Sequence, residues 1–243
     1  CYRISNDSIS NLKIVQVSDF HNTKSDRLTN DLVNRIKEEN PDLIFITGDL
    51  IDARKTDIDV SLNFIKFIKD IAPIYFVSGN HEASIRNYNE LKNKLEEIGV
   101  NVLENEVDVL DIFNTKINII GINDPSMAHE FIPDSDIIMS ELNNIEYDDS
   151  FYTILLSHRP EVYNVYVNKK IDLVFTGHAH GGQIRIPFIG GVVAPNQGLF
   201  PKYTSGLFRN DETAMVISRG IGNSILPFRI NNRPELVVVN IYK

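Results

Sequence analysis

Side chains able to bind metal ions occur in five short motifs along the chain. They are Asp19 with His21, Asp49, Asn80 with His81, His158, and His178 with His180. Five of the six histidines lie in these motifs, and only His129 lies elsewhere. Each motif follows a run that predicts a buried strand, and ligands bind at the carboxyl ends of strands in open α/β sheets. One such residue alone is commonly a cap or turn residue, but the ordered set of five indicates a shared site.

The donor atoms of these motifs suit two cations better than one. Four imidazoles, two carboxylates and an amide oxygen exceed the ligands that one first-row cation needs, whereas two cations can share a bridging ligand. Two metal ions about 3.5 to 4 Å apart can hold a bridging hydroxide as nucleophile and bind phosphoryl oxygens. The only cysteine is Cys1, which excludes an intrachain disulfide and a thiolate zinc cluster. The donors therefore favour manganese, iron or zinc in a catalytic role.

Strands and helices alternate through the first hundred residues. Apolar runs predict strands at 13–17, 43–46 and 74–77, and apolar residues at helical spacing predict helices around 28–36, 58–68 and 88–98. Short strands are expected further on, at 107–113, 117–121, 152–156, 173–175 and 236–241. The alternation predicts an α/β fold with parallel strands.

The chain is expected to form one domain over residues 1–243. It contains no internal repeat, low-complexity tract or Gly/Ser linker. The polar stretch 123–150 is interpreted as a surface connection or as a lid beside the site.

The charge balance bears on the choice of partner. Lys and Arg total 24 against 33 Asp and Glu, a formal net charge of -9, which disfavours nucleic-acid binding through phosphate neutralisation. No run approaches the roughly 20 apolar residues of a membrane span, so we expect this chain to be soluble.

The motifs together resemble those of a known family, the calcineurin-like metallophosphoesterases, which include the purple acid phosphatases. The matching blocks are VSDFH at 17–21, GDLID at 48–52, GNHE at 79–82, SH at 157–158 and GHAHGGQ at 177–183. The resemblance covers nearly the whole chain, with all five blocks present in order. It implies a two-sheet mixed β-sandwich flanked by helices.

The resemblance also implies a role for each motif residue. One metal ion would be bound by Asp19, His21 and His180, the other by Asn80, His158 and His178, and Asp49 would bridge them. His81 would stand beside the metals without binding one and donate a proton to the leaving oxygen. The cofactors implied are two divalent cations, with manganese favoured and iron or zinc as alternatives. Purple phosphatases carry a tyrosine where this chain has Asp52, which argues against ferric-tyrosinate chemistry.

Several further residues are candidates for substrate binding or for support of the metal ligands, and some of them have a second interpretation. Gly181 and Gly182 could let backbone amides approach a phosphate or could form a tight turn, and Arg159 could face a substrate anion or the solvent. Asp52 and Glu82 could orient the metal ligands through hydrogen bonds, and Asp124 could do the same or act as a turn residue. Further anion contacts could come from Arg185, Arg219, Arg229 and Arg233.

The function implied is hydrolysis of a phosphodiester, phosphomonoester or pyrophosphate, on a cell-envelope or nucleotide-linked lipid substrate. The alternative is a non-catalytic, metal-dependent binding module on the same fold. The expected partner is a phosphorylated substrate, with no specific nucleic-acid binding.

The location is also suggested by resemblance. The GHAHGGQ form, with SRGIG at 218–222 and residues 229–235, is similar to a bacterial branch attached to or exported across the membrane. This implies a membrane-associated or extracytoplasmic protein with an anchor or export signal upstream of Cys1. Cys1 itself could be lipid-modified after signal cleavage or could mark an arbitrary start of the chain.

Overall fold

The computed structural model describes residues 1–6, 9, 11–223 and 228–243. The strands are β1 Tyr2–Ser5, β2 Leu12–Val17, β3 Leu43–Thr47, β4 Ile74–Val77, β5 Val100–Val102, β6 Glu106–Ile112, β7 Thr115–Gly121, β8 Tyr152–Leu156, β9 Leu173–Thr176, β10 Arg185–Ile186, β11 Gly190–Gly191, β12 Val193–Ala194, β13 Gly198–Leu199, β14 Gly206–Arg209, β15 Ala214–Ile217 and β16 Val237–Tyr242. The helices are α1 Asp26–Glu39, α2 Ile58–Ile68, α3 Asn80–Ala83, α4 Tyr88–Glu97, α5 Asp134–Asn144 and α6 Tyr163–Asn168, with 3-10 turns at Pro125–Ala128 and His180–Gly182.

Two six-stranded mixed sheets form the framework. The first has the order β1-β16-β2-β3-β4-β5, in which β2 to β5 are parallel and β16 runs antiparallel to β2. The second has the order β14-β15-β9-β8-β7-β6, with four parallel strands inside two antiparallel edge strands. The predicted two-sheet α/β fold is therefore confirmed.

The apolar residues of each strand alternate between two cores, as the two-residue period of a strand requires. In β3, Ile44 and Ile46 pack in the core that contains apolar residues of α1, α2 and α4, whereas Leu43 and Phe45 pack between the sheets. A third core joins the outer face of the second sheet to α5 and α6. Both sheets are thus covered on both faces, which explains why β3, β4, β8 and β9 are fully buried.

The eight strands and three helices that the sequence predicts are confirmed, with bounds shifted by up to three residues. The stretch 123–150 is more regular than expected, because Ile137, Ile138 and Leu142 form a buried face on α5. Besides α5, the strands and helices additional to the prediction are β1, β5, β10 to β15, α3 and α6. Among the described residues, no helix is both long and apolar enough to cross a membrane.

A buried amide ties the two sheets together where the strands bearing the motifs end. Gln16 on β2 donates from Nε2 to Thr47 Oγ1 at 2.8 Å and to the Thr176 carbonyl at 2.8 Å. Thr47 ends β3 in the first sheet, and Thr176 ends β9 in the second. The carboxyl ends of both sheets are thereby brought to one side of the sandwich.

The inter-sheet core should dominate stability, and Phe45 tests this. Its buried ring lies 5.1 Å from the Phe175 ring and 6.1 Å from the Tyr75 ring, centroid to centroid. We expect Phe45→Ala to lower the free energy of unfolding by about 3 to 5 kcal/mol through lost burial and a residual cavity. Denaturant unfolding measures this, with Phe67→Ala as control, because Phe67 is 58% exposed on α2. Equal losses in the two variants would contradict the proposed importance of the inter-sheet core.

Candidate metal centre

The motif residues occupy an uncommon backbone conformation. Positive φ angles of 45 to 65° occur at Asp19, His21, Asp49, His178 and His180. Non-glycine residues rarely adopt this left-handed region, and such residues concentrate at functional sites. Backbone hydrogen bonds hold the turns in place, with Asp19 N donating to Gly48 O at 3.0 Å and Gly177 N donating to His158 O at 3.2 Å.

Two positions in the motifs require glycine, because a neighbouring turn lies too close for a side chain. A Cβ on Gly79 would lie 2.4 Å from Asp49 Oδ1, and a Cβ on Gly177 would lie 1.9 Å from Ser18 Oγ. Any side chain at Gly79 would push apart the turns that follow β3 and β4, and any side chain at Gly177 would push apart the turns that follow β2 and β9. The glycines therefore allow the motifs to converge.

A first group of candidate ligands consists of Asp19, His21, Asp49 and His180, all buried, with ligand atoms within 4.8 Å of one another. His180 Nε2 lies 3.3 Å from Asp19 Oδ1 and 3.1 Å from His21 Nε2. These atoms come from the turns after β2, β3 and β9, so both sheets contribute to the group.

A second group consists of Asp49, His158 and His178, again buried. His158 Nε2 lies 3.2 Å from Asp49 Oδ2 and 3.2 Å from His178 Nδ1. His158 Nδ1 lies 2.8 Å from the Thr47 carbonyl, which can only accept, so Nδ1 carries a proton and Nε2 faces the group. Asp49 belongs to both groups, and its Oδ2 is also 3.7 Å from His21 Nε2.

The arrangement fits cations. Asp19 Oδ2, His21 Nδ1 and Asn80 Oδ1 are buried without a hydrogen-bond partner in the structure, which is costly unless another group satisfies them. Carboxylate and amide oxygens with imidazole nitrogens are suitable ligands for first-row divalent metals. The cluster is therefore compatible with two divalent metal ions.

The pKa values of the imidazoles agree with metal binding. Burial lowers the pKa of His178 and His180 well below the ordinary value and lowers the pKa of His21 to about 4. These rings are therefore neutral and have a lone pair available.

Burial also lowers the pKa of His158, but the Asp49 carboxylate outweighs that effect and raises it to about 10. Despite its own burial, Asp49 has a pKa well below the usual range, chiefly because of His158. Cation binding competes with this proton, since a ligating imidazole must give it up.

Glu82 holds together the turns that carry Asp49 and Asn80. Its buried carboxylate accepts hydrogen bonds from the backbone amides of Asp49 at 2.8 Å, Gly79 at 2.7 Å and Ile51 at 3.1 Å. Burial and the nearby Asp49 carboxylate raise the pKa of Glu82 to about 7. One side chain thus joins the turns that follow β3 and β4.

His81 lies beside both groups without belonging to either. Its backbone N donates to Asp49 Oδ1 at 2.8 Å, and its Nδ1 accepts from Ala53 N at 2.9 Å. Because Nδ1 accepts this bond, the ring proton is assigned to Nε2, which lies 4.0 Å from Asp49 Oδ2. Asp52 Oδ1 is 3.6 Å from His81 Nδ1, while the Asp52 carboxylate is held mainly by Arg54 at 2.9 Å.

Arg159 is buried rather than solvent-facing. Its guanidinium forms a bidentate pair with Asp124, at 2.5 and 2.7 Å, and donates to Ser126 Oγ at 3.0 Å. Its Nη1 also lies 3.2 Å from His178 Nε2. Arg159 and Asp124 therefore form one unit behind the His178 ring.

Gly181 and Gly182 form a tight turn with φ angles of 63 and 77°. A Cβ on Gly182 would lie 2.4 Å from the Gly191 Cα, and one on Gly181 would lie 2.2 Å from Asn232 Oδ1. The Asn232 amide donates to the carbonyls of His180 at 2.7 Å and Gln183 at 3.1 Å. Asn232 lies in the 229–235 segment, but its contact with the His180 turn was not predicted, because the two are distant along the chain.

A cleft of about 480 Å³ opens beside His21. Its lining includes Lys24, Ser25, Gly222 and Arg229. Arg229 Nη2 lies 3.3 Å from His180 Nδ1, so this guanidinium stands between the first group and the cleft. Of the four additional arginines considered from the sequence, Arg229 is the one that contacts a candidate ligand in the described structure.

Replacing the supporting carboxylate should weaken metal binding. In Glu82→Gln, one acceptor oxygen becomes an NH2 group that faces backbone donors, so the turns bearing Asp49 and Asn80 lose their common partner. We expect manganese affinity to fall by about 10- to 100-fold, as for other groups that orient metal ligands. A chelator-competition titration measures this, with Glu90→Gln on the exposed face of α4 as control. Unchanged affinity in Glu82→Gln would contradict the supporting role.

Comparison with known proteins agrees with the geometry. The family model of the calcineurin-like phosphoesterases matches residues 12–182. The metallophosphoesterase YkuE of Bacillus subtilis is 31% identical over 236 residues, covering 94% of this chain and 78% of that protein. The phosphodiesterase YaeI of Escherichia coli is 28% identical over 245 residues, covering 97% and 84%. A dimetal phosphatase structure from Danio rerio shares the fold, with a TM-score of 0.55, 11% identity and coverage of 96% and 93%. The chain therefore belongs to the calcineurin-like phosphoesterases and is a metal-dependent phosphoric ester hydrolase.

Proposed function

We propose that this chain is a two-metal phosphodiesterase whose centre is organised around Asp49. The observation that carries the proposal is the position of this carboxylate, which belongs to both buried groups of candidate ligands. A carboxylate shared by two cations holds them close together and balances part of their charge.

The proposed ligand roles follow the two groups. Asp19, His21 and His180 bind one cation, and Asn80, His158 and His178 bind the other. The proposal is supported by the buried, unpartnered Oδ1 of Asn80 and Oδ2 of Asp19, which need an electropositive partner. Manganese is the proposed metal, because the donors are oxygen and nitrogen and Asp52 replaces the tyrosine of the purple enzymes.

Two bound cations supply Lewis acidity toward phosphoryl oxygens and an activated water as nucleophile. The protein supplies the remaining proton chemistry through His81. Its Nδ1 is occupied by the Ala53 amide, so its Nε2 proton can be donated toward the leaving oxygen. Donation of this proton stabilises negative charge that develops as the ester bond breaks.

The substrate is proposed to extend from the metals into the cleft beside His21. Arg229 lines this cleft and favours an anionic group there, whereas Lys24, also in the lining, is paired with Asp57 at 2.8 Å. Activity on phosphodiesters is preferred because the relative YaeI is named a phosphodiesterase. Within that class, we propose a cell-envelope or nucleotide-linked lipid phosphate, whereas the net charge of -9 argues against nucleic acid.

The proposed location is at the membrane or outside the cytoplasm. It is based on the resemblance of GHAHGGQ and the 218–222 and 229–235 segments to the attached or exported bacterial branch. The alternative function is a non-catalytic module that binds metal and a phosphorylated ligand. The presence of every motif donor and of His81 beside them favours hydrolysis over binding alone.

Removing the shared charge tests the proposal. We expect Asp49→Asn to abolish turnover of a bis-nitrophenyl phosphodiester and to reduce bound manganese, because an amide neither balances nor bridges two cations well. Metal analysis and initial rates on the same preparation measure both effects. Asp70→Asn, at an exposed position after α2, is the control and should resemble the wild type. Substantial turnover by Asp49→Asn would contradict the proposal that Asp49 bridges the two cations.

The role of His81 is tested by comparing two leaving groups. We expect His81→Ala to keep both metals and to lose about two to four orders of magnitude on an alkyl phosphodiester, whose leaving oxygen needs a proton. A nitrophenyl ester should lose less, because nitrophenolate leaves without much protonation. Rates on both substrates, metal content and melting temperature are measured in the one variant. Equal fractional losses, together with a lower melting temperature, would indicate that His81 only packs or holds the turn.

A further inference from the structure

The loop that carries His180 continues directly into two small hairpins. β10 and β11 form the first, β12 and β13 form the second, and residues 228–231 lie alongside. Backbone hydrogen bonds place the segments side by side, from Arg185 N to Ile230 O at 3.0 Å, from Val192 N to Ile184 O at 2.8 Å and from Phe200 N to Val192 O at 2.8 Å. We call this region the hairpin surface and define it by Phe188, Ile189, Leu199, Phe200, Phe228 and Ile230.

The hairpin surface is unusually apolar for an exposed region. Phe188 is fully exposed at the tip of the first hairpin, and Leu199 and Phe200 are 72% and 62% exposed. Among the described residues, seven of the thirteen exposed large apolar side chains lie in 183–206 or 228–234. Such clustering marks an interaction surface, whereas single exposed apolar residues do not.

The charges of the same segments have one sign. Residues 183–206 and 228–234 contain Arg185, Lys202, Arg229 and Arg233 but no Asp or Glu, in a chain whose net charge is -9. Three carboxylates lie next to these segments: Asp134 and Glu161 accept from Asn196, and Glu235, which directly follows Pro234, is paired with Arg219 at 3.1 Å. An apolar region with cations and without carboxylates of its own complements an anionic, amphiphilic surface.

We propose that the hairpin surface binds a membrane that contains anionic phospholipid. The phenylalanine, leucine and isoleucine side chains enter the boundary between headgroups and acyl chains, and the exposed Lys202 and Arg233 contact the headgroup phosphates. Exposed side chains on short hairpin tips fit this use, because each can enter a fluid interface without a matching pocket. A bilayer therefore fits these features better than a folded protein partner does.

The docked orientation would bring the metal centre to the headgroups. Arg229 contacts the His180 ring, while its chain neighbours Phe228 and Ile230 are exposed members of the hairpin surface. Gly182 packs against Gly191 of the first hairpin, so the ligand turn and the surface form one packed unit. The inference about the substrate rests on the proposed function. It narrows the substrate class to phosphoesters of amphiphiles at the membrane surface.

Vesicle binding tests the proposal without any substrate. The manganese-loaded chain is sedimented with sucrose-filled vesicles of phosphatidylglycerol and phosphatidylethanolamine, and separately with vesicles of phosphatidylcholine alone. We expect binding to the first vesicles, weaker binding to the second, and at least about tenfold weaker partitioning for the double variant Phe188→Ala/Phe200→Ala. Phe67→Ala, which removes an exposed phenylalanine from α2, is the matched control and should bind like the wild type.

Two further measurements separate the outcomes. Hydrolysis of the water-soluble bis-nitrophenyl ester should be the same in Phe188→Ala/Phe200→Ala as in the wild type. If the wild type does not hydrolyse this ester, the proposed function is wrong, whereas the membrane proposal is unaffected. Sedimentation velocity without vesicles reports self-association. The membrane proposal would be overturned if the wild type did not bind vesicles, or if the double variant bound them equally well. It would also be overturned if the wild type formed a dimer instead of binding vesicles and the double variant did not form that dimer.

Discussion

The arrangement of the site depends on one buried carboxylate. Asp49 Oδ2 lies 3.2 Å from His158 Nε2 and 3.7 Å from His21 Nε2, and Oδ1 accepts from the His81 amide. Burying an ion without compensating charge is expensive, and Asp19 is buried in the same cluster. Burial, reinforced by the Asp49 carboxylate, raises the pKa of Asp19 to about 6. Such a cluster is most favourable when cations neutralise it, which agrees with membership of a metallophosphoesterase family.

The surrounding structure serves to keep these charges together. The two sheets bring strand ends to one side, where Gln16 bridges them, and Glu82 joins two of the turns through three backbone amides. The left-handed residues store conformational strain of order 1 to 3 kcal/mol each, which persists only where neighbouring contacts determine the backbone. The close approach of Gly79 and Gly177 to neighbouring side chains allows those contacts to form.

Much of the framework could be predicted from the sequence because its signals are local. Runs such as 43–46 and 74–77 are apolar throughout, and Pro41, Pro73 and Gly99 mark the ends of the intervening helices. The motifs could be placed at strand ends for the same reason, and a family resemblance supplied the two-sheet arrangement. The edge strands β1 and β14 were missed, because their half-exposed residues give a weaker pattern.

The supporting contacts could not be predicted, since they join residues far apart in sequence. Nothing local distinguishes Asn232, which holds the turn at His180, or shows that Arg159 turns inward to Asp124. The hairpin surface was also missed, because its phenylalanines and isoleucines resemble core residues until their exposure is known. Tertiary packing, rather than local propensity, determines all three features.

The central claim is that Asp49 links two cations in one centre. Electron paramagnetic resonance of the manganese-loaded chain tests it most directly, because two manganese ions about 3.5 to 4 Å apart with a common bridge are magnetically coupled. We expect two ions per chain and a coupled spectrum. A spectrum of isolated manganese at full loading, with one ion per chain or two that do not interact, would contradict the account.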